Sequence, residues 1–216
     1  MNSFFSKVFM WLFIGLLITF ASGYYVASSE SLLYTLASDG MYILFIIIQI
    51  VVCIFLSARI HKMQPMTAKI LYLVYSLLTG ITFASIFAVI HASTVIYAFL
   101  ATALVFGIFA FIGRTTKLDL SSIGTYALMG LIAVIILEII NLFLLNSTIS
   151  FAVIIISIVV FIAFIAYDVQ RLKSLEHFAV DEDDKEKYAI FGAFELYLDF
   201  INLFLDILKL FAKSRD

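Results

Sequence analysis

Six polar side chains stand in register inside an apolar stretch near the end of the chain. Within Tyr188–Lys213, the residues Glu195, Asp199, Asn202, Asp206, Lys209 and Lys213 follow at intervals of 4, 3, 4, 3 and 4. At about 100° per residue, those intervals put all six on one narrow stripe of a helix. The stretch is long and apolar enough to cross a bilayer, which takes about 20 residues. An ionised Asp at mid-membrane costs ~2.5–3.5 kcal/mol on insertion scales. Three acids on one stripe therefore cannot face lipid. The stripe must face protein or water, and the segment reads as a central helix lining a polar cavity in a membrane bundle.

A further acid, Asp168, closes the apolar run before it, in AFIAYDVQRLK. An acid at that depth marks a functional site by default; the alternative places Asp168 at the interface, neutralised by Arg171. If the helix runs on to about His177, Asp168 and Asp199 lie within about one turn of each other in depth. Two carboxylates in contact in a low dielectric cannot both ionise easily, so they share a proton over some pH range. Such a pair is a latch, bridged when protonated and repelling or recruiting a cation when not. Arg59 is either a counter-ion at similar depth or a topology-setting charge that snorkels to the headgroups. Carboxylate oxygens also suit Ca²⁺, and with no EF-hand loop the site expected at Asp168 and Asp199 is weak and pathway-like. Glu138 and Asn141, three residues apart, share a face in another apolar run. Interhelical hydrogen bonding is the expected work of Asn141. His61, His91 and His177 lack ligand spacing, which argues against zinc. No nucleotide-binding, metalloprotease or serine-hydrolase motif occurs.

The elements that must position these groups follow from composition. Of 216 residues, 64% are hydrophobic and 13% charged, and mean hydropathy is +1.16. Runs of 18 or more apolar residues recur, so the chain is an all-α integral membrane protein. Continuous rather than alternating hydrophobicity excludes a β-barrel. Seven spans are expected in one transmembrane domain, over residues 8–27, 41–58, 68–90, 94–112, 123–145, 149–169 and 188–211. A cleaved signal peptide is the rival reading of the first run. Cys53, alone, allows no intramolecular disulfide and reads as a packed residue. The charged stretch Gln170–Lys187, with DEDDKEK at its end, is expected to be a solvated loop. Its alternative is a vestibule that attracts cations.

Loop charges set the orientation. Lys7, then Arg59, Lys62 and Lys69, then Arg114 and Lys117, then Arg171, Lys173, Lys185 and Lys187 fall on one side. The stretches Ser28–Gly40, His91 and Asn146 on the other side carry no Lys or Arg. The positive-inside rule puts the N-terminus in the cytoplasm. Lys209, Lys213 and Arg215 run against the rule if the seventh segment crosses, and length favours crossing over re-entry.

Four motifs in register resemble the Bax inhibitor-1 family, also called the transmembrane Bax inhibitor motif proteins. They are ELYLDFINLF at Glu195–Phe204, AYDVQRL at Ala166–Leu172, TGIT at Thr79–Thr82, and TKLDLSSIG from Thr116 to Gly124. The resemblance implies seven helices with the seventh wrapped by the other six. It also implies a pH-sensitive calcium leak gated by a di-aspartyl sensor, here Asp168 and Asp199, with Arg59 as basic latch. The short N-terminal tail suits a bacterial member, in the cell (inner) membrane. Gln49 stands where some relatives carry an acid, and Glu195 and Asp206 are acids beside the signature. The loop before the last helix reads as longer than in compact relatives.

The function expected is therefore a non-enzymatic, pH-sensitive calcium leak with the bilayer, Ca²⁺ and protons as partners, no cofactor and no nucleic acid. Glu195, Asn202, Asp206 and Glu138 are the expected cation path. A proton-coupled exchanger would use the same carboxylates. An intramembrane aspartyl protease would need a GxGD element where this chain has LYLD.

Overall fold

The computed structural model describes residues 3–37 and 40–213. Every regular element among them is helical: α1 (Ser3–Ala27), α2 (Glu30–Ala37), α3 (Met41–Arg59), α4 (Pro65–Val89), α5 (Ala92–Thr115), α6 (Ser121–Leu144), α7 (Ser147–Phe178) and α8 (Glu182–Lys213), with a 3₁₀ turn at Ile60–Lys62. Six helices, α1 and α3 to α7, are long and apolar enough to cross a membrane. The chain is a multi-pass helical membrane protein. α8 is not among those six, and its burial sets it apart: from Lys187 to Leu208 no residue is exposed. On α3 and α6, by contrast, rows of exposed Ile and Leu such as Ile43, Ile47, Ile50 and Ile132, Ile136, Ile139 present the apolar surface a bilayer requires.

Two compact units divide the chain. The first comprises Met1–His91 with Leu175–Tyr197. Here α1 lies along α4, and the two backbones come close at Gly80, where a Cβ would run into the Thr19 carbonyl. Small residues permit this approach where apolar lipid gives helices no hydrophobic reason to associate. Thr19 then donates to the Ser76 carbonyl at 2.9 Å, and Phe20 stacks on Phe87 at 5.8 Å. Pro65 opens α4 at a position where its missing N–H costs nothing.

The second unit comprises Ala92–Ser174 with Leu198–Asp216. Phe200 of α8 packs between Phe99 and Phe106 of α5, ring centroids 5.6 and 5.5 Å away. Gly113 of α5 abuts the Ala166 backbone of α7, leaving no room for a Cβ. The linker into α6 is tied to α7 by Gln170, which donates to the Leu118 carbonyl at 2.7 Å and accepts the Leu120 N–H at 2.9 Å. Asp119 accepts both the N–H and the hydroxyl of Ser121, at 2.9 and 2.6 Å. Those two bonds hold its carboxyl below the usual range.

Two expectations need correction. The stretch Gln170–Lys187 is not a loop: α7 continues to Phe178, α8 begins at Glu182, and three residues join them. The acidic run is a helix start. Asp181 accepts the Asp184 N–H at 2.7 Å while Asp184 reaches back to the Val180 N–H at 3.3 Å. Glu182, Asp183 and Asp184 complement the N-terminal dipole. The connection is thus short rather than long. Second, Ser28–Gly40 holds the helix α2, whose Leu36 is buried. The helices that contain the expected spans at 8, 68, 94, 123, 149 and 188 begin two to six residues before them. Arg215 lies outside the described residues.

Candidate functional site

The seam between α7 and α8 in the second unit carries two polar rungs. At the first, Asp168 and Asp199, both buried, engage through a side-chain hydrogen bond. The Arg171 guanidinium, one turn along α7, acts electrostatically on Asp168. Asp199 and Arg171 thus both act on Asp168. The Asp199 Oδ2 is enclosed without a hydrogen bond of its own. A hydrogen bond between two carboxyl groups requires that one of them carry a proton.

The second rung was not foreseen. Ser157 of α7 donates its hydroxyl to Asp206 Oδ2 at 2.5 Å, and both are buried. Asp206 follows Asp199 by seven residues, two helical turns, on the same stripe of α8. Ser157 precedes Asp168 by eleven, which is three turns on one face of α7. The eleven-residue interval indicates the shared face of α7, but not which helix that face meets.

Beyond the second rung, Lys209 lies 3.7 Å from Asp206 Oδ1 and 3.9 Å from Glu138 Oε1 of α6. Glu138 and Lys209 line a cavity of about 720 Å³, together with Asn141, Ser147, Ser150 and several Ile and Leu side chains. Asn141 donates to the Ser150 hydroxyl at 2.7 Å, the interhelical bond expected of it. Asn202 donates its amide to Leu198 O of its own helix at 2.7 Å. Glu195 is half-buried in the part of α8 that belongs to the first unit, and Arg59 is exposed at the end of α3 in that unit.

Within the first unit, hydroxyl and amide groups line the buried faces. Thr19 and the Tyr197 hydroxyl are 2.6 Å apart. Gln49 accepts from Thr79 at 3.3 Å and donates to Thr82 at 3.4 Å, a neutral link where an acid was considered. The first turns of α8 are clamped by charge. Lys187, buried, bonds Asp184 at 2.6 Å and the His61 carbonyl at 3.4 Å. Glu186 pairs with Lys69, and His61 Nδ1 lies 3.1 Å from the Tyr188 hydroxyl. Lys187 holds the Asp184 carboxyl below its usual range, with the Val180 N–H adding to the effect.

Among the described residues, no three His, Cys, Asp or Glu side chains converge as a metal cage. Carboxylate oxygens are hard ligands, and Ca²⁺ takes about 6–8 oxygen ligands.

Comparison with known proteins agrees with this architecture. Residues 1–216 match the family described as inhibitor of apoptosis-promoting Bax1. Inner membrane protein YbhL of Escherichia coli (strain K12) is 36% identical over 218 residues, covering 100% of this chain and 93% of that one. An uncharacterized protein of Borreliella burgdorferi is 34% identical over 217 residues, covering 100% and 94%. One from Rickettsia prowazekii is 33% identical over 210 residues, covering 97% and 89%. With matching order and span along its whole length, the chain belongs to the Bax inhibitor-1 family.

Proposed function

We propose that the protein is a pH-sensitive cation leak, with Ca²⁺ as cargo, in a bacterial inner membrane like that named for YbhL. In this reading α8 crosses as a seventh span, wrapped by the six apolar helices, and the N-terminus is cytoplasmic by the distribution of Lys and Arg. The observation that carries the reading is the buried hydrogen bond between Asp168 and Asp199. A carboxyl pair in a low dielectric holds together through one shared proton and repels without it. Acid therefore keeps α7 and α8 bridged, and alkali releases them. The stripe through Glu195, Asn202 and Asp206, with Glu138 beside it, is the path a released cation follows. Arg59 serves as the basic latch at the charged end of α3.

The test is calcium influx into proteoliposomes from pH ~5 to ~8, the window in which a coupled carboxyl pair titrates. Flux rising with pH in the wild type, and independent of pH in Asp168→Asn and Asp199→Asn, is the expected result. Retained pH dependence in both variants would remove the sensor assignment. Proton counterflow in fixed ratio to calcium would turn the leak into an exchanger using the same pair.

A further inference from the structure

A groove in the second unit carries charge where its surroundings offer none. A cavity of about 720 Å³ lies between α6 and α7 and is reached by Lys209 from the end of α8. Its α6 wall is a stripe through Ile135, Glu138, Ile139 and Leu142, all of them exposed. Ile139 belongs both to this wall and to the row of Ile that α6 turns to the bilayer. The groove is therefore continuous with the lipid-facing surface. Its size, and its apolar lining broken by a few polar groups, are those of a ligand site, roughly 300–1,000 Å³.

The polar groups at the groove are not saturated by one another. Lys209 Nζ stands 3.9 Å from Glu138 Oε1 and 3.7 Å from Asp206 Oδ1, beyond the ~2.7–2.9 Å of a charge-assisted hydrogen bond. Asp206 is enclosed and served by Ser157, whereas the Glu138 and Lys209 side chains are 53% and 52% exposed. α6 has 24 residues, about 36 Å of rod, against a hydrocarbon layer of ~30 Å. Glu138 is six residues short of Leu144, where α6 ends, or about 9 Å along the rod. With the overhang shared between the two ends, Glu138 lies about 6 Å inside the apolar layer. A charge facing hydrocarbon there is costly. A lysine escapes by reaching outward to the interface, and the shorter Glu138 does not. A polar group must come to it.

The lysines are unusual in a second respect. The α6–α7 turn lies at the end of α6 opposite the linker that carries Lys117 and is tied to Gln170. That turn has no Lys or Arg of its own, yet α8 delivers two lysines to it. Lys209 meets Glu138, and Lys213 donates to the Ser147 carbonyl at 3.0 Å. With Asp206 and Glu138 the group holds two positive and two negative charges. A balanced set of charges at a groove open to the bilayer complements a zwitterion.

We infer that this groove binds a phospholipid whose zwitterionic head group ends in a primary ammonium. Its phosphodiester accepts from Lys209, its ammonium donates to Glu138, and an acyl chain lies along Ile135, Ile139 and Ile154. A quaternary head group has no N–H to offer Glu138, and an anionic one leaves that carboxylate facing like charge. The site needs only α6, α7 and the end of α8, so it stands or falls apart from the leak and its Asp168–Asp199 pair.

The test is native mass spectrometry of the purified full chain, stripped of lipid in detergent and given phosphatidylethanolamine, phosphatidylcholine or phosphatidylglycerol at equal concentration. The ethanolamine lipid should be retained roughly tenfold more strongly than either of the others, the factor that one charge-assisted bond supplies. Lys209→Met and Glu138→Gln should each remove the preference, and Lys209→Arg should keep it. Where Lys209→Met fails to fold, Glu138→Gln decides. Ile139→Trp, at an exposed position of the groove wall, should also remove the preference while leaving the melting temperature unchanged. Equal retention of the three lipids, stronger retention of the anionic one, or a preference that survives Glu138→Gln or Ile139→Trp would overturn the inference.

Discussion

Asp168 and Asp199 meet across α7 and α8 with both side chains buried, although 31 positions separate them in the chain. Coupled carboxyls titrate in two macroscopic steps that belong to the pair. Infrared difference spectra of the carboxyl region across a pH series should show two steps in the wild type. Asp168→Asn and Asp199→Asn should each collapse the titration to one step. Two steps surviving in either variant would show that the groups do not share a proton.

The Ser157–Asp206 bond should matter to stability. Interhelical polar contacts in membranes contribute about 0.6 kcal/mol on average and up to ~1.7. Ser157→Ala should destabilise the protein within that range in a detergent unfolding titration. Pairing it with Asp206→Asn should cost less than the sum of the two, because the partner is already lost.

Packing at α5 gives a paired test. Gly113 abuts the backbone of Ala166, whereas a Cβ at Gly107 would meet nothing within 4 Å. Gly113→Ala forces α5 and α7 apart and should cost about 1–3 kcal/mol. Gly107→Ala should be neutral or stabilising by up to ~1 kcal/mol through helix propensity. Thermal unfolding of the two variants side by side would separate close helix contact from backbone entropy.

Asp184 supplies a pH signature outside the membrane. Its carboxyl is held below the ordinary value of 3.8 by Lys187 and the Val180 N–H. Its contribution is therefore complete above that value and fades as pH falls through the lower folded one. The melting-temperature difference between wild type and Asp184→Asn should be constant above pH about 5 and shrink below pH about 4. A difference that instead grew on acidification would contradict the clamp.

Topology has a direct test. Reporters fused at the two termini should give opposite sidedness if α8 crosses, with the N-terminal one cytoplasmic. Like sidedness would make α8 re-entrant.

Much of this was legible from residue spacing. The polar stripe on α8 is a matter of intervals along one helix, and the apolar runs announce themselves by length. Ser157 was harder, because its role depends on how α7 is rotated against α8, which no single-helix period determines. Lys209 was visible as a charge, but its two acids come from different helices. The start of α8 is ambiguous in sequence for another reason. DEDDKEK is polar enough for a loop, yet an acid at the cap followed by acids in the first turn is also how a helix begins. Lys187 belongs by sequence to the charged stretch, while the fold buries it against Asp184 and His61.

The three-residue link between α7 and α8 has a mechanical consequence. Each helix has 32 residues, or about 48 Å of rod. The hydrocarbon layer is only ~30 Å thick, so on the proposed topology, with α8 crossing beside α7, several turns of the hairpin stand clear of it. Its apex bears exposed Phe178 and Val180. The apex is not a free arm, however: Lys187 and Glu186 tie the first turns of α8 to the His61 carbonyl and to Lys69, so a displacement there is resisted first by those contacts.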